Sequence, residues 1–388
     1  MKTTFLLFLL FFTILAPAQN IGADTSNNSE RTAVKQEAWG NSDGKEVFLY
    51  TLTNKNGVIC KLTNWGATVT ELLLPDRNGN VDDVVLGFES FDRWLDSDGK
   101  GSTNPAYMGV TVGRVCNRIA GGRFELDGKT HQLAKNNEPN HLHGGTEGWD
   151  KKVWEGEVLE REDGAGVRFT LVSPDGDENY PGEVAAEVIY ILTDDNSLKI
   201  EFAATSDQRT PVNMTNHSYF NLAGEGKGTI LDHKLKLEAT SHTEFDDTGI
   251  PTGKFAPLEG TPLDFTQEQR VGEKIGQIQG DPGGYDHNFV LREEKASEPQ
   301  LAATLYDPKS GRELKLYTTE VGVQFYSGNY LDGSLKGKSG TKYEKHFGLC
   351  LEPQFHPDSV NQAHFPNSVL KPSQRYEHKC LYKFGTRN

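Results

Sequence analysis

From about Trp39 to Phe384 the chain runs as short segments of alternating apolar and polar residues, separated by turn-forming residues. Leu198-Lys199-Ile200-Glu201-Phe202 and His233-Lys234-Leu235-Lys236-Leu237-Glu238 keep the period of two that a strand with one wet face requires. Arg123-Phe124-Glu125-Leu126 and Lys129-Thr130-His131-Gln132-Leu133 flank Asp127-Gly128, the favoured two-residue hairpin turn. Further hairpins are predicted from Val184 to Phe202 around the turn Thr193–Ser197, and from Leu301 to Tyr317 around Asp307–Gly311. Val58–Leu62 and Ala67–Leu74 read as strands, the second ending at Pro75-Asp76-Arg77-Asn78-Gly79. No segment sustains a helical period, and Gln267–Ile278 has room for one or two helical turns. Antiparallel hairpins in series predict an all-β fold, a large sheet-on-sheet sandwich rather than a parallel α/β fold. The pattern is continuous, so residues 39–388 are taken as a single domain.

The first residues do not follow this pattern. Lys2, the apolar run Phe5–Leu15 and Ala16-Pro17-Ala18 match a signal peptide of residues 1–18, cleaved after Ala18. The apolar run is too short to cross a bilayer, and no later one is long enough. The expectation is a secreted, extracellular product without membrane attachment after cleavage. Residues 19–38, rich in Asn, Ser, Glu and Thr, read as a disordered lead-in. Within it Asn27 begins an N-x-S/T sequon and is the expected glycosylation site; the Asn213 and Asn216 sequons lie in a segment assigned below to the cleft.

Composition narrows the function. With 55 acidic against 40 basic residues the net charge is −15, which disfavours nucleic acid, anionic membrane surfaces and, more weakly, phosphorylated substrates. The four cysteines, Cys60, Cys116, Cys350 and Cys380, are far apart and form neither a zinc ribbon nor a redox motif. Two disulfides and four buried thiols both remain open.

Five segments break the strand rules by setting ionisable groups among glycines and aromatics. In Gly113–Gly122, Arg114, Asn117 and Arg118 could donate to a polyhydroxylated ligand or simply lie in a solvated turn. Asn136–Gly145 carries His141 and His143 before Gly-Gly and suggests an exposed loop; a metal there lacks a third ligand. Thr210–Leu222 holds three asparagines, His217 and aromatics, too polar for a core strand, and reads as a strand aiming amides and an imidazole into a cleft. Gly283–Phe289 contains Asp286. Gly322–Tyr326 and Gly348–Gln354 contain Gln324 and the lone carboxylate Glu352, which is either buried and functional or a strand-end group facing water. Together these groups suit a sugar: bidentate partners for vicinal hydroxyls and aromatic faces for ring C–H groups. No nucleophile elbow, phosphate loop or dinucleotide fingerprint is present.

In motif, order and spacing these segments resemble the aldose 1-epimerase, or galactose mutarotase, family. The resemblance runs through Gly-Arg-Val-Cys-Asn-Arg-Ile (113–119), Leu-His-Gly-Gly (142–145), Ser-Pro-Asp-Gly (173–176), Tyr-Pro-Gly-Glu (180–183), Thr-Asn-His-Ser-Tyr-Phe-Asn-Leu (215–222), Asp-His-Asn-Phe (286–289), Gly-Val-Gln-Phe-Tyr (322–326) and Leu-Glu-Pro-Gln (351–354). It implies a β-supersandwich that interconverts the α and β anomers of free aldoses such as galactose and glucose. It implies no metal and no cofactor. His217 matches the general acid and Glu352 the general base; Asn117, Arg118, His143, Asp286 and Gln324 match positions that hold the sugar. The expected partner is a small aldose bound by a monomer. A hexose-6-phosphate 1-epimerase, or a glycoside hydrolase using Asp286 and Glu352, is the alternative. The chemistry further leads us to expect that Asp286 keeps His217 protonated.

Overall fold

The computed structural model describes residues 33–97, 103–280 and 282–387. The expected signal peptide, most of the expected lead-in and Asn27 lie outside these residues. Strands dominate, and every strand pair is antiparallel. The expected hairpins form where the turn residues place them: Arg123–Leu126 with Lys129–Gln132, Val184–Thr193 with Ser197–Ser206, and Gln300–Tyr306 with Arg312–Thr318. Gln267–Ile278 holds one short two-residue strand and one 3₁₀ turn, Ile275–Gln277.

One expectation is corrected. Residues 33–38, assigned to the disordered lead-in, are the first part of the strand Ala33–Ser42, paired with Lys45–Thr53. This strand lies at a sheet edge and is mostly exposed, so its polar side chains face water while its backbone is paired. Polarity alone therefore did not distinguish it from a tail.

Three large sheets carry the fold. One has five strands, Ala33–Ser42 through Val81–Asp83 in sequence order. A second has nine, from Glu155–Arg161 at one edge, through Tyr376–Thr386 at the centre, to Gln269–Arg270. The third has six, in the order Tyr219–Phe220, Leu349–Gln354, Gly322–Tyr326, Asp286–Val290, Ser241–Phe245 and Pro251–Pro257. A single large core joins the sheets. Val188, Ile200, Leu316 and Tyr382 of the nine-stranded sheet pack in it with Phe289, Val323, Phe325 and Leu351 of the six-stranded sheet.

The six-stranded sheet positions the site. Successive side chains on a strand point to opposite faces. In Leu349–Gln354, Leu349 and Leu351 therefore enter the main core, while Cys350, Glu352 and Gln354 share the other face. All six residues are buried. Antiparallel register then aligns two cross-strand rows on that second face. One row is Asp286, Tyr326, Cys350 and Tyr219; the other is Asn288, Gln324 and Glu352.

Candidate active site

From these rows Asp286, Tyr326, Tyr219 and Glu352 line a cavity of about 400 Å³ that also reaches His143 and His217. A neighbouring hollow of about 560 Å³ shares Asn117, Arg118, Asn137, Asp286 and Tyr330 with it and reaches Gln324. Six of the seven residues expected at the sugar site therefore line the first cavity. The seventh, Gln324, borders the second.

His217 sits between the two-residue strands Thr215–Asn216 and Tyr219–Phe220. Its backbone is tied to Val110 and Gly109, with His217 N donating to Val110 O (2.9 Å) and Gly109 N to His217 O (2.9 Å). Its Nε2 lies 3.7 Å from Glu352 Oε2. Both residues are buried, and Glu352 Oε2 accepts no hydrogen bond among the described residues. Burial drives the His217 imidazole down to about 4, and burial reinforced by Asp286 holds the Glu352 carboxyl well above its ordinary value, with Arg118 opposing. Both shifts favour a pair made of neutral imidazole and protonated carboxyl. Moving one proton converts it to imidazolium and carboxylate without changing the proton count. The expectation that Asp286 keeps His217 protonated is corrected: Asp286 acts on Glu352, and desolvation dominates at His217.

Asp286 is itself held on both oxygens. Gln324 Nε2 donates to Oδ1 (2.7 Å), and Arg118 Nη1 lies 3.9 Å from Oδ2. Arg118 Nε donates to Asn137 Oδ1 (3.1 Å). Gly249, at φ +79°, brings the Asp246–Ile250 turn onto the guanidinium: a Cβ there would stand 3.2 Å from Arg118 Nε. Asn117 N donates to His143 Nδ1 (3.1 Å), so the neutral His143 ring carries its proton on Nε2. This bond also argues against a metal. His143, His217 and Glu352 bring ligand atoms within 4.8 Å of one another. His143 nevertheless offers no lone pair toward a shared ion while Nδ1 accepts the Asn117 amide.

Several sequence expectations are revised. Arg114 does not face a ligand. It is buried, and its guanidinium donates to Pro181 O, Gly182 O, Pro174 O and Ser173 Oγ. The Ser-Pro-Asp-Gly and Tyr-Pro-Gly-Glu motifs are thus the shell around this arginine. In the histidine segment Asn136, Glu138 and Pro139 are exposed, but His141 and His143 are both buried. His141 is bound by Ala134 O (2.8 Å) and Tyr180 Oη (2.8 Å). Nor do the asparagines of 213–216 aim into the cleft. Asn213 exchanges hydrogen bonds with the Phe355 backbone, and Asn216 Nδ2 donates to Gly109 O. Asn213 thereby serves both backbone groups of Phe355, and Asn216 adds a second donor to Gly109 O beside Val69 N, so from this segment His217 and Tyr219 alone line the cavity. Glu352 is buried, not a strand end facing water.

The sequence reading called for aromatic faces but named none of the residues that supply them. Tyr107 packs tilted against His143 with centroids 4.6 Å apart, and Tyr219 and Tyr326 pack against His217 at 5.2 and 6.5 Å. Tyr219 and Tyr326 stood inside the motifs, and Tyr326 could have been chosen by its strand phase in Gly322–Tyr326. Tyr107, in Asn-Pro-Ala-Tyr-Met-Gly, carried no such signal.

An antiparallel sandwich whose cleft sets one buried carboxyl against one buried imidazole, ringed by amides and aromatic faces, defines an acid–base enzyme acting on small carbohydrates. The chain belongs to the aldose 1-epimerase family, whose model matches residues 49–383. It is 47% identical over 324 residues to a galactose mutarotase of Bos taurus, covering 84% of this chain and 90% of that one. It is 37% identical to an aldose 1-epimerase of Escherichia coli strain K12, covering 88% and 96%. Among solved structures, a galactose 1-epimerase from Lactobacillus acidophilus superposes with a TM-score of 0.78 at 28% identity, covering 92% of this chain and 100% of that one. An aldose epimerase homologue from C. elegans gives 0.76 at 31% identity, also covering 92% and 100%. The protein is accordingly an isomerase that interconverts sugar anomers.

Proposed function

We propose that Glu352 and His217 carry the mutarotation of a free hexose, with galactose and glucose as substrates. Glu352, as carboxylate, takes the proton of the C1 hydroxyl while His217, as imidazolium, protonates the ring oxygen. The C1–O5 bond breaks and an open-chain aldehyde results. Rotation about C1–C2 exposes the other carbonyl face, and the two groups then exchange roles as the ring closes. The dyad finishes with the proton distribution it began with, so no cofactor is consumed. His143, through its Nε2–H, Arg118 and Asn117 supply donors to the hydroxyls; Asp286 and the unpaired Oε1 of Gln324 supply acceptors. The observation that carries this reading is the 3.7 Å approach of His217 Nε2 to Glu352 Oε2 in a cavity of about 400 Å³, within the roughly 300–1,000 Å³ of small-molecule pockets.

A phosphorylated hexose fits less well. Arg118 is the one arginine or lysine among the described residues lining the two hollows, and it faces Asp286 and Asn137. Polarimetry on freshly dissolved α-galactose, α-glucose and α-glucose 6-phosphate tests this. The free hexoses should equilibrate well above the buffer rate and the phosphate ester should not; the reverse order would overturn the reading.

We propose in addition that the protein is exported, on the strength of Lys2, Phe5–Leu15 and Ala16-Pro17-Ala18. Material collected outside the cell should begin at Gln19 and carry any glycan at Asn27. Asn213 and Asn216 are buried and hydrogen-bonded, so they should be unmodified. An N-terminus at Met1, or a glycan at Asn216 in active protein, would contradict it.

A further inference from the structure

The order of strands under the cleft fixes which way round a hexose lies. His217 stands just before Tyr219–Phe220, Glu352 is on the next strand, Gln324 is directly across from Glu352 on the third, and Asp286 is on the fourth. Ring opening sets the C1 hydroxyl at Glu352 and the ring oxygen at His217. The other ring neighbour of C1 is C2, which therefore points away from His217, toward Gln324 and Asp286. We propose that this end of the cleft takes 2-amino-2-deoxyhexoses in their ammonium form, the C2 nitrogen donating to Asp286 and Gln324, and that the enzyme interconverts their anomers as it does those of the parent hexoses. This rests on the acid–base reading of His217 and Glu352 given above.

Hydrogen-bonding capacity at C2 favours nitrogen. Gln324 is 4% exposed; its Nε2 donates to Asp286 Oδ1 (2.7 Å), and its Oε1 has no donor among the described residues. Asp286 Oδ2 lies 3.9 Å from Arg118 Nη1, beyond hydrogen-bond reach, and the Asp286 side chain is 30% exposed and lines both hollows. Two acceptors thus stand open on the C2 side. A hydroxyl carries one hydrogen and serves one of them, which leaves the other unpaired. An ammonium carries three hydrogens and no acceptor, and it serves both.

Charge favours the same substitution. Among the described residues the two hollows carry the carboxyl groups of Asp286, Glu352, Glu138, Asp246, Asp247 and Asp332 against one guanidinium, that of Arg118. Arg118 opposes an ammonium, but it is held in place. Asn137 Oδ1 accepts from its Nε, and the Asp246–Ile250 turn closes on it at Gly249. The remaining titratable groups add no charge: burial keeps the His143 and His217 rings neutral and the Tyr107, Tyr219 and Tyr326 phenols protonated. A concave site lined mainly by one sign of charge raises the local concentration of the opposite ion.

The test compares 2-amino-2-deoxygalactose with galactose on the wild-type protein, by saturation transfer between anomeric protons with the buffer rate subtracted. At about pH 6 and low salt the amino sugar is a cation, and its kcat/KM should be about threefold that of galactose, falling toward parity in about 0.5 M salt. The ratio should also fall about threefold as pH rises to about 9, since the amine, like an α-amino group, loses its proton near about 8. Taking the ratio to galactose at each pH removes the titrations of Glu352 and His217, which both sugars share. Asp286→Asn should raise KM for the amino sugar about tenfold more than for galactose, because only the amino sugar loses an ion pair. An amino sugar exchanged no faster than in buffer would overturn the inference without any variant having to fold. So would a ratio unmoved by salt and pH, or equal losses in the asparagine variant. Exchange of galactose without exchange of the amino sugar would leave the acid–base reading of His217 and Glu352 standing. Failure on galactose itself would overturn that reading, and this inference with it.

Discussion

At Glu352 burial and the Asp286 carboxylate act in the same direction, and both keep the proton on. An unfolded chain releases that proton near pH 4.5, so above this pH the native state binds a proton the unfolded state has lost. Stability due to this group is therefore lost as pH rises toward its folded pKa. Glu352→Gln removes the titration and retains the shape. We expect it to melt about 2 °C higher near neutral pH, corresponding to about 1 kcal/mol, with the gap widening in a thermal melt as pH rises above 4.5 toward the folded-state value. A gap that closes with rising pH would contradict the burial account. The rate should report the same pair. With one proton shared between Glu352 and His217, activity should fall below about pH 4, where His217 also becomes protonated, and fall again as pH rises through the raised Glu352 pKa. Residue chemistry was legible in the sequence only in part. Arg114 and Arg118 stand four apart in one glycine-bounded turn, and nothing in their spacing says which faces the ligand. That is decided by chain more than fifty residues away, where Ser173–Gly182 supplies the carbonyls that enclose Arg114.

At the level of elements, the hairpins were readable because their turns are local: Asp127-Gly128 closes its own pair of strands. The strands that present His217 were not. Thr215–Asn216 pairs with Thr111–Val112, and Tyr219–Phe220 with Leu349–Cys350, both more than one hundred residues distant. With two residues each they show no period. Their polar side chains, read as ligand contacts, instead complete backbone bonding to remote loops. Arg114 does the same on a larger scale, joining the segment before His143 to the loop 173–182. Arg114→Ala should therefore leave several buried carbonyls without a donor and cost about 3–5 kcal/mol. Urea denaturation should show the loss, while KM of the protein that remains folded should be near wild type. A stability loss below about 1 kcal/mol, or a large KM change in folded protein, would return Arg114 to the binding site.

For the whole molecule, the continuous β pattern between Trp39 and Phe384 was enough to foresee sheet-on-sheet packing, and one core cluster does join the three sheets. The state of the cysteines was not foreseeable, because pairing depends on distances that no spacing encodes. Cys60, Cys116, Cys350 and Cys380 are all free and buried. Core packing of this extent holds the fold without cross-links, and desolvation keeps each thiol protonated and unreactive. A thiol-reactive dye should label none of the four in the native protein and all four in denaturant without reductant. Fewer than four would reveal a disulfide that the structure lacks.

The account stands most directly on anomer exchange at equilibrium. Saturating the α-anomeric proton of galactose by NMR and following the β signal measures that exchange without a coupling enzyme or a displaced starting mixture. The wild-type protein should transfer saturation in proportion to its concentration. Folded Glu352→Gln, confirmed by its melting transition, should transfer less by roughly 10²–10⁴-fold, the usual worth of a well-placed acid–base group. Transfer by the variant equal to wild type, or transfer by wild type no greater than by buffer, would contradict the assignment of Glu352 and His217 as the pair that opens the ring.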